Sequence, residues 1–207
     1  MNASDALIKT LVNNGLEVIF ANPGTSEMHL VASIDNNPEI RPVLGLFEGV
    51  VTGAADGYAR MAEKSAANLL HLGPGLGNGF ANIHNAKKAR SPLINIVGDH
   101  ATYHLKHNAP LTSDLDNLAK SASDWVGRSN TTEDICDLAN LAWQQANSLP
   151  GQISTLIIPA DCAWGEFKGN IPKPLQKKEF DPIDEKLVSK SIEILRMDNS
   201  ILYLGGK

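Results

Sequence analysis

Residues 66–97 read AANLLHLGPGLGNGFANIHNAKKARSPLINIV. Within that stretch, residues 66–72 are a short apolar run of strand length, and residues 73–79 are rich in glycine and read as a loop. Residues 80–89 carry helical spacing, and residues 93–97 (LINIV) form a second apolar run. Two such runs joined through a helix make a βαβ unit with parallel strands. Apolar strands with little alternation suit a sheet covered on both faces.

The alternation extends in both directions. Towards the N-terminus, Ser4 is placed to cap a helix running to Asn14, with Ala6, Leu7, Thr10 and Leu11 on one face and Gly15 closing it. Residues 17–21 (EVIFA) form a strand stopped by Asn22-Pro23-Gly24. A helix over 26–36, a strand over 42–46 and a helix over 49–62 follow. Beyond the opening stretch come a polar loop over 99–116, a helix over 133–148 and a strand over 153–158. The expected fold is α/β, a doubly wound parallel sheet with helices on both faces. From 166 to 184 the texture changes, with prolines at 172, 174 and 182 and lysines at 168, 173, 177 and 178, a linker composition. A helix over 183–196 and a strand over 201–204, running into Gly205-Gly206-Lys207, come last. The expected division is a domain over 1–165, a linker over 166–183, and at 184–207 the beginning of a second α/β domain that stops short.

Composition narrows the function. With 18 Lys and Arg against 23 Asp and Glu, the net charge is −5, and no stretch concentrates the bases. That argues against a nucleic-acid surface. Two cysteines, Cys136 and Cys162, with no metal-type spacing read as reduced thiols. The N-terminus lacks the pattern of a signal peptide, and no apolar run approaches the roughly 18 residues of a membrane span. A cytoplasmic protein without membrane contact is expected.

Ligands of open parallel sheets collect at the carboxyl ends of the strands. Three features fall there: residues 22–25, residues 47–49, and residues 71–78. Glu48, at a strand-to-helix junction among apolar and small residues, is either a partly desolvated functional group or a helix-start acid helped by the helix dipole. The glycine run of 73–79 fails as a dinucleotide fingerprint, because Asn78, Phe80 and Asn82 stand where the last glycine is needed. No Lys-Ser or Lys-Thr follows for a P-loop. His100, His104 and His107 have metal-compatible spacing on a helix, but Ala109-Pro110 breaks that pattern and a polar loop with solvated histidines is the plainer reading.

Several stretches together resemble the N-terminal domain of thiamine diphosphate enzymes of the acetolactate synthase, pyruvate oxidase and benzoylformate decarboxylase group. They are residues 18–27 (VIFANPGTSE), Phe47-Glu48 followed by Ala54-Ala55-Asp56-Gly57-Tyr58-Ala59-Arg60, and Leu70-His71 with residues 73–78. Ala89-Arg90-Ser91-Pro92-Leu93-Ile94 and Ile157-Ile158-Pro159-Ala160-Asp161 complete the set. The spread covers residues 1 to about 165, and Ile201-Leu202-Tyr203-Leu204-Gly205-Gly206 looks like the first strand of the family's middle domain.

The resemblance implies that Glu48 hydrogen-bonds the aminopyrimidine nitrogen of thiamine diphosphate. That shared proton favours the imino form of the neighbouring amine, which then activates the thiazolium carbon for attack on a 2-oxo acid. Pro23, Gly24 and Asn78 are implied to line the cofactor site. His71 matches a histidine that moves protons at the substrate in benzoylformate decarboxylase-like members, although a strand-end histidine can also be structural. Thr25 stands where decarboxylases keep a serine, and either orients the substrate carboxylate or caps the helix beside it. In the family, Mg²⁺ and the diphosphate are held by a C-terminal domain bearing Gly-Asp-Gly and Asn-Asn. This chain has only Gly98-Asp99-His100, so the chain alone is expected to be inactive and to hold no metal. The cofactor of family members lies between two subunits, which implies a homodimer or homotetramer.

The expected function is the cofactor-binding N-terminal domain of a 2-oxo acid decarboxylase or an acetolactate synthase-like carboligase. The alternative is a non-catalytic dimerisation module that keeps the fold; a carboxylate at position 48 in apolar surroundings is the feature it would not need. A flavodoxin-like phosphate binder would need phosphate-gripping side chains after the first strand, and Asn22-Pro23-Gly24 offers few.

Overall fold

Neighbouring residues of an apolar strand face opposite sides of a sheet, and here both sides are used. In the computed structural model, which describes residues 1–176 and 182–204, Ile19, Ala67, Leu69, Ile94, Ile96 and Leu156 enter one core. Their strand neighbours Val18, Phe20, Leu70, Leu93, Val97 and Ile157 enter another. The proposed linker lysines Lys177 and Lys178, and the closing Gly205-Gly206-Lys207, lie outside the described residues.

The elements run α1 (Ala3–Asn13), β1 (Val18–Asn22), a 3₁₀ turn (Thr25–Glu27), α2 (Met28–Asp35), β2 (Arg41–Leu44), α3 (Glu48–Ala62), β3 (Ala66–His71) and α4 (Leu72–Lys88). Then come β4 (Leu93–Asp99), a second 3₁₀ turn (Leu105–His107), α5 (Leu115–Ala122), β5 (Trp125–Arg128), α6 (Ile135–Ala146), β6 (Ile153–Pro159), α7 (Ala160–Trp164) and α8 (Glu185–Leu195). The strands form one parallel sheet in the order β2-β1-β3-β4-β6-β5. Helices α1, α2, α6 and α7 supply the first core and α3, α4 and α5 the second, which is the doubly wound arrangement. The chain order reverses between β1 and β3, so the crevice beyond Asn22 and His71 is the natural ligand site of the fold.

The glycine-rich stretch is helix rather than loop. Pro74 falls in the first turn of α4, where a missing N–H costs nothing. The glycines let α4 press onto α3: a β-carbon at Gly79 would lie 2.7 Å from Thr52 Cγ2. Thr52 Oγ1 meanwhile donates towards Glu48 O at 2.9 Å and Gly79 O at 3.1 Å. Packing overrides propensity here.

Other boundaries moved for equally local reasons. Asn2 caps α1 through Asp5 N, while Ser4 donates to Ala163 O at 2.8 Å, tying the helix to α7. Gly15 closes α1 with φ +93°, as its position after the last turn requires. The polar loop over 99–116 holds the second 3₁₀ turn and runs into the start of α5. The rest of α5 and the four-residue edge strand β5, paired among the described residues only with β6, lie beyond it in a stretch the sequence reading leaves unassigned. Phe167, two residues into the proposed linker, is buried in the first core. Residues 201–204 are exposed and form no strand, because no described strand lies beside them to accept their hydrogen bonds. Helix α8 has the expected extent, with no buried side chain.

Candidate functional site

The crevice is built from the ends of three segments. Helix α3 starts at Glu48, preceded by an extended Phe47 that offers no side-chain cap. The Glu48 side chain lies against α4 and the residue is 9% exposed. From the second turn of α4, Asn78 Nδ2 donates to Glu48 Oε2 at 3.0 Å. Oε1 has no protein partner among the described residues, yet it is not sealed off from solvent. One oxygen is thus fixed by the protein and the other is open to a ligand.

His71 ends β3 and precedes Leu72, a buried residue in the left-handed region at φ +51°. That conformation costs about 1–2 kcal/mol for a residue with a side chain. It turns the chain sharply from β3 into α4 and leaves the imidazole at the crevice. Gly75 stands between the two groups. A β-carbon there would be 3.4 Å from Glu48 Oε1 and 3.5 Å from His71 Cβ.

Behind His71 sits an acid that the sequence reading did not single out. Glu27 is fully buried, and its Oε2 accepts from Gly24 N at 2.8 Å and is 2.8 Å from His71 Nδ1. Burial pushes the Glu27 carboxyl above the usual carboxylate range, opposed by the charge and hydrogen bond of His71 and by the Gly24 N–H. Glu27 Oε1 is buried with no partner, an arrangement that costs about 1–3 kcal/mol. Two bare α-carbons make room for this group. A β-carbon at Gly24 would collide with the His71 ring at 2.3 Å, and one at Gly98 would collide with the Glu27 carboxylate. The signal that could have found Glu27 is its position three residues after Gly24, the reach-back of a capping box.

Glu48, Asn78 and His71 are therefore brought together, with Gly24 backing the His71 ring. Pro23 follows β1 at the crevice edge and also lines an apolar cavity of about 450 Å³ beneath α2. Thr25 is exposed and makes no capping bond; Gly24 occupies the cap position and Glu27 supplies the bond, so the capping reading of Thr25 does not hold. Thr25 instead borders a hollow of about 300 Å³ with Ser26, His100, Tyr103, His104 and Trp164. The rings of His100, His104 and His107 follow one another with 5.5 Å between centroids. Among the described residues no three His, Cys, Asp or Glu side chains gather to hold a metal.

Asp56, Tyr58 and Arg60 stand away from the crevice. Asp56 takes two bonds from Arg60, at 2.9 and 2.6 Å, and one from Ser91 Oγ at 2.5 Å. Tyr58 packs edge-on to Phe20. The Tyr58–Phe20 contact and the Ser91–Asp56 bond hold α3 against β1 and the turn before β4, while the Arg60–Asp56 pair lies within α3.

A family model described as the thiamine pyrophosphate enzyme, N-terminal TPP binding domain, matches residues 1–119. The chain belongs to this family. It is 57% identical over 166 residues to IlvX of Mycobacterium tuberculosis, which carries the name of an acetolactate synthase large subunit; the match covers 80% of this chain and 32% of that protein. It is 32% identical over 205 residues to benzoylformate decarboxylase of Pseudomonas aeruginosa, covering 97% of this chain and 38% of the relative. The thiamine diphosphate-dependent 4-hydroxybenzoylformate decarboxylase of Rhodococcus jostii RHA1 superposes with a TM-score of 0.85 at 24% identity, covering 94% of this chain and 37% of that one, and shows the shared fold. The matches cover 32–38% of the length of these proteins.

Proposed function

We propose that this thiamine diphosphate-binding domain serves an enzyme that processes 2-oxo acids, as a decarboxylase or an acetolactate synthase-like carboligase. The observation that carries this reading is the half-satisfied carboxylate of Glu48. What sets Glu48 apart from an ordinary helix-start acid is that it is only 9% exposed among small and apolar residues and still keeps one oxygen unpaired among the described residues. Here Asn78 fixes one oxygen and the other faces the crevice. That is the donor set an aminopyrimidine nitrogen needs, so the residues present fit the cofactor.

Once bound, thiamine diphosphate supplies a carbon nucleophile and takes up the electron pair released from the substrate. The chain's own contribution is orientation and proton handling. Glu48 Oε1 is the group that would share a proton with the pyrimidine ring, and Asn78 keeps the carboxylate from rotating away. Pro23 and Gly24 shape the wall beside it. His71 accepts and returns a proton at the substrate.

The remaining parts lie on other surfaces. Mg²⁺ and the diphosphate belong to a C-terminal domain of the kind this family uses, and the chain alone is inactive. Leu46, Phe47 and Val50, respectively 92%, 50% and 61% exposed, form an apolar rim around Glu48. A partner subunit covering that rim would exclude water from the crevice, which supports a homodimer or homotetramer. Among the described residues no helix is long and apolar enough to cross a membrane. Both cysteines are buried free thiols, as a reducing cytoplasm allows.

The test is His71→Ala in the complete enzyme, supplied with cofactor and a panel of 2-oxo acids. Turnover should fall about 10²–10⁴-fold, the usual contribution of a proton-transfer group, with cofactor affinity nearly unchanged. Unchanged turnover would return His71 to a structural role.

A further inference from the structure

Among the described residues three acids are buried at the carboxyl ends of the strands: Glu48, Asp99 and Glu27. Glu48 has its part above, and Asp99 is neutralised by Arg128 at 2.6 Å. Glu27 faces His71 instead, with its other oxygen stranded. The 3₁₀ turn carrying it packs against β3, β4 and α2. The ionisable groups those elements bring are His71, the Arg128-bound Asp99, and on α2 His29, whose ring packs on Trp164, and Asp35. Of these only His71 acts on Glu27.

We infer that Glu27 is the positioning residue that fixes the tautomer of His71, holding the ring proton on Nδ1 and leaving the lone pair on Nε2 for the substrate. Glu27 Oε2 already accepts from Gly24 N, and Nδ1–H gives it a second donor on the same oxygen. Among the described residues Nε2 has no protein partner. The ring therefore starts as a proton acceptor at Nε2. When it takes a proton there, the imidazolium forms 2.8 Å from a carboxylate, and the pair of opposite charges offsets the burial of the acid. The same proton leaves again from Nε2, while the Nδ1 proton never moves. Gly24 and Gly98 keep the pair in register, since a side chain at either would displace the ring or the carboxylate.

The catalytic use of Nε2 rests on the function proposed above; the tautomer does not. Long-range ¹H–¹⁵N correlation spectra of the labelled 207-residue chain, at a pH where His71 is neutral, read it directly. The wild-type chain should show a protonated Nδ1 and an unprotonated Nε2. Glu27→Leu should shift the proton largely to Nε2, and Glu27→Gln, whose amide oxygen can still accept, should keep it on Nδ1. In the complete enzyme Glu27→Leu should lower kcat at least tenfold with KM changed less than threefold. If His71→Ala leaves turnover intact while the Nδ1–H tautomer is seen, the functional reading fails and the positioning role stands. A wild-type His71 protonated on Nε2, which needs no variant to detect, overturns the inference, as does a Glu27→Leu ring still protonated on Nδ1.

Discussion

A side chain at Gly24 and the imidazole of His71 claim the same space: a β-carbon on Gly24 would lie 2.3 Å from His71 Nδ1. The turn after β1 and the end of β3 are thus fitted to each other across the point where strand order reverses. Gly24→Ala should displace the ring and cost about 1–3 kcal/mol of stability, the range for overpacking a filled site. Urea denaturation measures the loss, and a wild-type midpoint would show that the ring is free to swing aside.

Asn78 tests the anchoring of Glu48. Its side chain is on an exposed position of α4, so Asn78→Ala should leave stability within about 0.5 kcal/mol of wild type. In the complete enzyme it should weaken cofactor binding about tenfold, the equivalent of one lost charge-assisted hydrogen bond of about 1.4 kcal/mol. Asn78→Asp should weaken it further by setting a second carboxylate against the first. Equilibrium dialysis of cofactor against the variants decides; equal affinities would detach Asn78 from the site.

Glu27 gives the fold a pH signature. Burial holds its carboxyl above the ordinary value near 4.5, so the folded chain binds that proton more tightly than the unfolded chain does. As pH rises from the ordinary value through the raised one, the unfolded state releases its proton first and folding stability falls. Glu27→Gln removes this loss. The stability of wild type relative to the variant should therefore decline as pH climbs above about 4.5. Parallel pH profiles in denaturation experiments would contradict the burial argument.

The parts of the fold legible in the sequence are those where burial acts on every residue. Ile19, Leu69, Ile96 and Leu156 are apolar because the sheet is covered on both faces, and their runs announce it. Glu48, His71 and Asn78 were legible as residues following the carboxyl ends of strands; Asn78 bonds Glu48, and His71 stands on the other side of Gly75. What escaped depends on contacts between distant segments. Residues 73–79 carry loop propensity, and only the fit of Gly79 onto Thr52 shows why they coil. Strand β5 is four residues long and leans on one neighbour. Nothing near Glu27 in the chain marks it as buried, because Gly98, some 70 residues on, is what closes over it.

Cofactor binding by the chain alone should be weak. Glu48 and Asn78 meet only the pyrimidine end, and a ligand carrying a diphosphate draws most of its affinity from charged contacts and the metal that this surface lacks among its described residues. Calorimetry with thiamine diphosphate and Mg²⁺ should detect no binding tighter than about millimolar, near −4 kcal/mol. Micromolar, Mg²⁺-dependent binding would mean that the chain holds the diphosphate itself.

Exchange of the thiazolium C2 proton in cofactor bound to the complete enzyme reports most directly on the open oxygen of Glu48. In Glu48→Gln the amide keeps the shape and the Asn78 neighbour but cannot share the pyrimidine proton, and exchange should slow about 10²–10⁴-fold. Exchange within a few-fold of wild type, with the cofactor seated, would show that the carboxylate does not do this work.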